Sequence, residues 1–440
     1  MIKDLSSIQL QLIAIGAYGL ATVLSRIPTI ILVAIGAACL WTSIHREAPN
    51  GPDVRRLAFG LLALFSLLSM VGPARIIGSP PGWLFLASGL VWLALGFGWL
   101  RLRSVTAARR TIYIVCLVIT GVIGAIHIAS AAGVGFDVLF FHEAAADAIA
   151  DGVSPYSDAV QVPNGSPDSD EFIVGYPYPP ISALAYSTSD WAFGDPRWTS
   201  LVGWLIVLGV LGARSLQTKG DDLSLGIMLV SASIPAWPLV LTTGWTESVS
   251  MALLALAAAT WARPAVSGAL SGFFLGSKQY LAVAAPLFVA NRLPDRWKRA
   301  VWAGIGVVVS FVPVLFWGVP EFIDAAIRFH LEAPARPDGS SIVGLLAVFD
   351  VDWAPPTWIL VVAVIAIVLA VWRFVTGASS WLAAIGVTLT VALFLSGQAF
   401  TNYWFLVAGV AALAIVTQGE PDERSTDSEP IETHSREAVE

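Results

Sequence analysis

Charged residues and cysteines are scarce in this sequence of 440 residues. Only 12% of the residues are charged, 56% are hydrophobic, and the mean hydropathy is +0.76. A soluble domain carries about a quarter charged residues, so this composition excludes a cytosolic enzyme and a nucleic-acid-binding protein. The two cysteines, Cys39 and Cys116, both lie within apolar runs. Their placement excludes a disulfide framework and a cysteine-based metal site.

The charges that are present are clustered, and they leave apolar stretches of about 17 to 25 residues, each long enough to cross a hydrocarbon core as a helix. The net charge of −7 arises largely after Thr417, where eight acidic and two basic residues occur without an apolar run. We expect residues 419–440 to form a disordered acidic cytoplasmic tail. The N-terminus is too weakly basic for a signal peptide, and we interpret it as the first membrane anchor.

Backbone groups in lipid must be hydrogen-bonded within their own segment, so we expect the apolar runs to be helices. The predicted fold is an all-α polytopic membrane protein with about twelve transmembrane helices (roughly 10 to 14), a juxtamembrane helix and re-entrant segments. The predicted crossings are approximately 8–25, 27–44, 57–73, 82–100, 111–133, 198–214, 224–243, 247–262, 300–318, 358–376, 380–396 and 401–418.

The basic loops predict the orientation, because Lys and Arg collect in cytoplasmic loops. They place the N-terminus inside and residues 134–177 outside. The loop 134–177 has eight acidic residues and no Lys or Arg, which fits an outer position. The stretch 178–194 allows two arrangements. If it spans fully, three basic residues fall outside and only Arg197 falls inside. If it lies at the outer surface or re-enters, those three fall inside and only Arg197 falls outside. We favour the second arrangement; the three residues are Arg214, Lys219 and Arg263.

The favoured arrangement makes 265–290 begin and end inside, as a broken pair of helices around Gly276–Lys278. Irregular backbone at membrane depth is tolerated only where it lines a cavity, so this break indicates a functional site. Most non-helical polar residues then share the outer face, where we expect the site. The outer segments are 134–177, 243–247, 319–356 and 396–402.

The outer loop begins with a segment that has no helix breaker, Val138 to Ala150. Its acidic residues recur at i, i+4 spacing, which predicts a short amphipathic helix lying at the membrane interface. On composition alone, Asp137 is a helix N-cap and His142 an interfacial aromatic. The loop ends in YPYPP from Tyr176, which predicts an extended or turning approach to the next apolar stretch.

These outer-loop residues resemble glycosyltransferase family 87. The pattern is F-D-x-x-x-x-H-x-A-A from Phe136, then G-x-S-P-Y ending at Tyr156, then Y-P-Y-P-P from Tyr176. Members of that family are polytopic transferases of the GT-C type that take mannose or arabinose from a polyprenyl-phosphate sugar. The resemblance covers about residues 111–418, so the four predicted spans before it are an extension.

Three later segments are similar to the same family. Gly268 to Lys278 resembles its glycine-rich helix ending in lysine, and Gly339 to Gly344 resembles its Ser-Leu-x-Gly stretch, with His330 in the loop before it. Asn402 to Trp404 resembles the aromatic start of its last spans. The family's Gly-Gln motif is not matched, because the corresponding loop, Thr243 to Glu247, has the sequence TGWTE. The resemblance therefore says nothing about substrate binding at that loop.

The resemblance implies that Asp137 is the catalytic base, which deprotonates the acceptor hydroxyl as it attacks the anomeric carbon. A single displacement of this kind inverts the anomeric centre. A positive or donating group should face the departing phosphate, and we place His330 there as a second catalytic residue. Candidate substrate-binding residues are His142, Tyr156, Tyr176, Tyr178, Lys278, Arg328, Arg336 and Asn402.

Plainer interpretations of the basic candidates stay open. Arg328 and Arg336 could pair with Glu321, Glu332 or lipid headgroups, Lys278 could extend to an interface, and His330 could be a solvated loop histidine.

The predicted organisation is an accessory four-span block (1–105), a GT-C-like catalytic membrane domain (106–418) with outer loops 134–177 and 319–356, and the tail. The expected partners are a polyprenyl-phosphate sugar donor, a lipid-linked glycan or glycolipid acceptor and membrane lipids, with no nucleic acid, cofactor or metal. The expected location is a bacterial cytoplasmic membrane, crossed several times, with the active site on the extracytoplasmic side.

Two other functions compete with the transferase, namely a transporter or lipid-linked-sugar flippase and a non-catalytic scaffold subunit. A transporter should carry charges within its spans and paired broken helices in two related halves. This sequence has one clear break, at Lys278, and its polar residues lie mainly in two large loops. That distribution favours the enzyme.

Overall fold

A computed structural model describes most of the chain, and all of its regular secondary structure within the described residues is helical. The described residues are 5–24, 26–44, 52–71, 82–131, 137–157, 175–216, 222–290, 292–332, 339–349, 351, 357–397 and 399–418. The predicted acidic tail and Arg336 lie outside them.

The helices follow the apolar runs of the sequence. In the first half they are α1 (Ser7–Ala21), α2 (Arg26–Ser43), α3 (Pro52–Val71), α4 (Gly82–Leu102), α5 (Thr106–Ser130), α6 (Asp137–Ala150), α7 (Pro180–Phe193) and α8 (Arg197–Ala213). In the second half they are α9 (Asp222–Ala232), α10 (Trp237–Thr243), α11 (Glu247–Ala259), α12 (Pro264–Leu275), the 3₁₀ helix Gln279–Val289, α13 (Arg296–Phe311), α14 (Val314–Trp317), α15 (Val319–Phe322), the π-helical segment Ile323–Arg328, α16 (Phe329–Glu332), α17 (Ile342–Val348), α18 (Thr357–Trp372), α19 (Ala378–Phe394) and α20 (Thr401–Val416).

Each of the predicted crossings contains a helix, which confirms the helical fold class. Among the described residues, four helices are long and apolar enough to cross a membrane, and the pair α9–α10, bent by 55°, makes a fifth if it is counted as one span. The other apolar helices have 10–17 residues. These helices are compatible with a helical membrane protein, and the number of twelve crossings stays a prediction. The four are Gly82–Leu102, Thr106–Ser130, Arg197–Leu216 and Arg296–Trp317.

The stretch 178–194 forms α7, which has 14 residues and ends at Gly194 in a left-handed conformation. A helix of this length extends only about 21 Å, less than a hydrocarbon core of about 30 Å. The length of α7 does not distinguish the two arrangements, because α11 lies at a predicted crossing and has only 13 residues.

The N-terminal helices pack directly onto the C-terminal ones. Helix α1 contacts α2, α3 and α20, and α2 contacts α19. The Tyr18 hydroxyl is 2.8 Å from the Thr390 hydroxyl, and the Tyr18 ring stacks on Trp404 with its centre 6.4 Å away. At the end of α20, Gln418 donates to Gln11 at 2.6 Å. The first helices and the last therefore share one core.

One end of the bundle gathers basic residues from several segments. Arg55 and Arg103 both contact the Asp222 carboxylate, with Arg55 bonding both oxygens. Arg214 donates to the carbonyl of Gln418 at 3.1 Å, which brings the end of α20 to the same place.

Arg197 lies at the other end of α8, where it donates to the Ile128 and Ala131 carbonyls near the end of α5. Arg197 and Arg214 thus lie at opposite ends of α8, which both arrangements of 178–194 require.

Helices α12 and α13 pack closely through a row of glycines. Gly268, Gly272 and Gly276 follow one another at four-residue spacing, and this spacing places them on one face of α12. A Cβ on Gly268 would lie 2.5 Å from the Arg299 carbonyl oxygen, and one on Gly272 would overlap that of Ala303. Such small residues let two helix backbones approach. The contact fixes the end of α12, where the backbone leaves the helix before Lys278.

Candidate functional site

Helix α6 forms at the predicted place and has the predicted amphipathic character. Val138, Phe141 and Ala145 are buried in a cluster with the tyrosines of the outer loop, whereas Asp147 is exposed. Asp137 is the first residue of the helix, and its Oδ1 accepts the backbone N–H of Val138 at 2.8 Å. Its side chain is half-buried. Asp137 therefore does not form the predicted N-cap, because an N-cap side chain accepts the N–H two or three residues further on. Its side chain stays partly accessible.

His142 is fully buried and uses both ring nitrogens. Nε2 donates to the Gly244 carbonyl at 2.9 Å, and Nδ1 accepts the Tyr176 hydroxyl at 3.0 Å. Its ring stacks on Tyr186 with centres 3.7 Å apart. Burial and, to a smaller extent, the charge of Lys278 outweigh the raising effect of the Gly244 bond and lower the pKa of His142 to about 3. His142 therefore joins α6 to the turn after α10 as a neutral group.

The tyrosines of the outer loop close the loop on itself. The Tyr176 backbone N–H donates to the Pro155 carbonyl at 2.9 Å, and the Tyr156 hydroxyl donates to the Tyr178 carbonyl at 3.0 Å. Gly175 lies so close to Tyr156 that a Cβ there would overlap its carbonyl oxygen. Tyr156 also packs edge-on against Phe322. Tyr156 and Tyr176 thus shape the site from buried positions.

Tyr178 connects the other candidate residues. Its ring centre is 5.4 Å from Lys278 Nζ and 6.4 Å from the His330 ring. Burial raises the pKa of the Tyr178 phenol, and the next contribution comes from the negative charge of Asp137, ahead of Glu247. Lys278 and His330, which are far apart in sequence, thus both lie beside the Tyr178 ring, and the charge of Asp137 acts on its phenol.

His330 is held by the backbone that leads to Tyr178. Its Nε2 donates to the Pro177 carbonyl at 2.9 Å, and Gln279 donates to the same carbonyl at 2.6 Å. Burial lowers the pKa of His330, and the positive charge of Lys278 adds to this effect. His330 is therefore neutral at pH 7, with Nδ1 as its acceptor atom. In this state it is better suited to accept a proton than to face a phosphate as a donor.

Lys278 follows the break between α12 and the 3₁₀ helix, which confirms the predicted break. Its ammonium forms a buried ion pair with Glu247, the first residue of α11. The break is held in place by Ser277, whose hydroxyl lies 2.8 Å from that of Ser250 and whose carbonyl accepts the Ser182 hydroxyl at 2.9 Å. Lys278 therefore does not extend to an interface.

Sequence reasoning missed Glu247 and two aromatic neighbours of the ion pair, Tyr280 and Tyr403. Lys278 Nζ lies 5.4 Å from the Tyr280 ring centre and 5.0 Å from that of Tyr403. A signal for Glu247 was present, because Glu247, Arg263 and Lys278 are the charged residues between Asp222 and Arg292. Ionisable residues within apolar segments usually pair with one another.

The remaining candidates have different surroundings. Asn402 is buried beside Tyr403, and its Oδ1 has no hydrogen-bond partner among the described residues. Arg328 is exposed and pairs with Asp324 at 2.5 Å and with Glu332 at 3.9 Å. The described contacts of Arg328 are thus with its own helix, as the plainer interpretation of its charge expects. Arg336 is not among the described residues.

Within the described part of the chain, no group of three or more His, Cys, Asp and Glu side chains could hold a metal ion. Comparisons with protein-family models, with curated proteins and with solved structures find no match to this chain.

Proposed function

We propose that this protein is an inverting glycosyltransferase of the GT-C type, with about twelve transmembrane helices. It moves a sugar, mannose in preference to arabinose, from a polyprenyl-phosphate donor to a lipid-linked glycan or glycolipid acceptor at the outer face of the membrane. One observation carries the proposal, namely that Lys278 and His330 both lie beside the Tyr178 ring and that the charge of Asp137 acts on the phenol of Tyr178. A partly accessible carboxylate, a cation and a neutral imidazole beside aromatic rings suit a phosphate-linked sugar.

The chemistry assigned to Asp137 is proton removal. The acceptor oxygen attacks the anomeric carbon, its proton passes to the Asp137 carboxylate, and the bond from that carbon to the phosphate oxygen breaks. The electron pair leaves with the phosphate, so Lys278 is the group that meets the developing negative charge. Because the leaving group is already good, the site needs a base more than an acid.

The test measures sugar transfer by the purified protein in lipid nanodiscs, with radiolabelled polyprenyl-phosphomannose and its arabinose equivalent. Asp137→Asn should reduce transfer by about 10²- to 10⁴-fold, because it removes the base. Asp147→Asn is the matched control, since Asp147 lies on the exposed face of the same helix, and it should keep wild-type transfer. Full transfer by Asp137→Asn would contradict the proposal.

A transporter of lipid-linked sugars is the second candidate, and one observation favours it. Glu247 follows the bent pair α9–α10, and Lys278 lies at the break after α12. These two residues form one buried ion pair. Broken helices that meet at an intramembrane charge are typical of transporters. Translocation of labelled donor across liposomes, without glycosylated product and unaffected by Asp137→Asn, would favour this candidate over the transferase.

A further inference from the structure

The ion pair of Glu247 and Lys278 is enclosed by aromatic side chains. The rings of Tyr178, Tyr280 and Tyr403 lie 5.0 to 5.4 Å from Lys278 Nζ, and the Tyr280 hydroxyl donates to Glu247 Oε1 at 3.2 Å. The two charged side chains are 0% and 5% exposed. Attraction between the ammonium and the rings helps to hold the cation in this apolar place.

The ion pair leaves hydrogen-bonding groups unused. A lysine ammonium has three N–H donors, and the described residues provide one acceptor, Glu247 Oε1. Glu247 Oε2 is buried and has no hydrogen-bond partner in the described part of the chain. A buried ion pair is favourable only when such remaining groups are satisfied. This pair is therefore suited to exchange one partner for a ligand.

The surroundings of the pair favour an anionic ligand at Lys278. Titratable groups of five neighbouring elements interact with the pair, namely His142 of α6, Tyr178 and Tyr186 before and in α7, Tyr280 of the 3₁₀ helix, His330 of α16 and Tyr403 of α20. Burial lowers the pKa of both histidines. Lys278, the cation of the ion pair, is thus the group among these that suits a negatively charged ligand.

Building on the proposed function, we propose that Lys278 binds the phosphate of the lipid-linked donor and that Glu247 is a counter-ion which the phosphate displaces. Glu247 then takes one proton from water, and an O–H bond forms on its carboxylate. No covalent bond to the phosphate is made, and the proton returns to water when the ligand leaves.

The reason is charge balance. An ionised Glu247 beside a phosphate in an apolar site would repel it strongly. With a protonated Glu247, the site holds one positive and one negative charge both before and after a singly charged phosphodiester binds. Ligand affinity is then linked to the uptake of one proton, so it should weaken as the pH rises.

The experiment measures binding of methyl farnesyl phosphodiester to the full-length protein in nanodiscs between pH 6 and 8. This probe carries one fixed charge in that range. The wild-type Kd should rise about tenfold per pH unit, as expected for the uptake of one proton. Glu247→Gln imitates the protonated state, so it should bind tightly with a Kd that does not change with pH. Lys278→Met should weaken binding by about tenfold or more.

Three further variants make the result specific. His330→Gln should keep the pH slope, which shows that the proton is not taken up there. Asp222→Asn alters the ion pair at the other end of the bundle, and it should keep both the affinity and the slope. If Lys278→Met does not fold, the double variant Glu247→Gln/Lys278→Met replaces it, because this variant leaves no unpaired buried charge. It should also lose binding.

Competition identifies the source of the phosphate. Unlabelled probe should displace the labelled probe, whereas inorganic phosphate and phosphatidylglycerol should not. Equal displacement by phosphatidylglycerol would assign the site to membrane phospholipid, and equal displacement by inorganic phosphate would assign it to free phosphate. Either result overturns the donor assignment.

The failure of this inference is distinguishable from failure of the proposed function. A pH slope that persists in Glu247→Gln, or binding that survives Lys278→Met, overturns the inference and leaves the transfer assay at Asp137 untouched. Conversely, full transfer by Asp137→Asn overturns the transferase, while the binding results decide the anion site separately.

Discussion

Two ion pairs lie at the two ends of the α9–α10 segment, and they differ in how completely they are satisfied. At the start of α9, Arg55 bonds both oxygens of Asp222 at 3.0 and 2.7 Å, and the pair is partly exposed. After α10, Glu247 and Lys278 are buried, with Glu247 Oε2 left without a partner among the described residues. The first pair joins α3 to α9 through a complete bidentate contact. The second pair has a carboxylate oxygen that could still accept a hydrogen bond.

This difference separates a structural contact from a candidate site. A partly exposed ion pair adds little stability and tolerates the loss of one partner. A buried pair loses much more when one partner is removed, because the other charge is left uncompensated. The end of the bundle that holds Glu247 and Lys278 should therefore respond far more strongly to substitution than the end that holds Asp222.

The largest effect should be a difference in unfolding free energy between variants of the two ion pairs. Glu247→Ala leaves Lys278 buried and unpaired, which should cost about 3–5 kcal/mol of unfolding free energy. Asp222→Ala should cost no more than about 1 kcal/mol. Thermal unfolding of both variants in the same detergent measures the difference. Equal losses of stability would contradict the view that the two ion pairs differ.

The next effect concerns the glycine row that positions Lys278. A Cβ on Gly272 would overlap the Ala303 carbonyl oxygen, so Gly272→Ala must push α12 and α13 apart at a cost of about 1–3 kcal/mol. Gly304→Ala is the matched control, because a Cβ there meets nothing within 4 Å. Unfolding temperatures should fall only for Gly272→Ala, together with affinity for the phosphodiester probe. A similar loss in both variants would show a general effect of alanine in these helices.

Acid should weaken the α6 end of the bundle. Folding lowers the pKa of His142 from about 6.5 to about 3, so the unfolded chain binds more protons between these values. The contribution of His142 is complete above pH 6.5 and is lost as the pH falls towards 3. The loss amounts to about 2 kcal/mol at pH 5. His142→Phe cannot titrate, so the stability difference between wild type and this variant should shrink from pH 7.5 to pH 5. A constant difference would contradict this account.

The smallest effect is expected at Arg328, whose side chain is exposed and paired with Asp324 and Glu332. Arg328→Ala should change sugar transfer by less than about twofold, because exposed pairs of this kind contribute about 0–1 kcal/mol. A larger loss in the transfer assay would support the prediction that Arg328 binds substrate.

Local pattern was enough to predict several parts of the site. The absence of helix breakers predicted α6, and the distribution of basic residues among the loops predicted the break around Gly276–Lys278. The partner of Lys278 was not predictable in this way, because Glu247 lies 31 positions earlier, on another helix. Sequence periodicity predicts which face of a helix is apolar. It does not predict which distant helix packs against that face.

The same limit explains the roles of the two histidines. Sequence placed His142 and His330 in outer segments, but it could not show that both donate Nε2–H to backbone carbonyls, those of Gly244 and Pro177. These contacts depend on how separate loops fold against one another. Burial lowers the pKa of both histidines, and it does so against these carbonyl contacts, which raise it.

The contact between Pro155 and Tyr176 has a practical consequence. These two residues are hydrogen-bonded neighbours, so added residues in the chain between them should cost this contact little. An epitope or a cleavage sequence spliced into residues 158–174 should leave transfer intact. Its accessibility to antibody or protease in intact cells would then report directly which compartment this end of the protein faces.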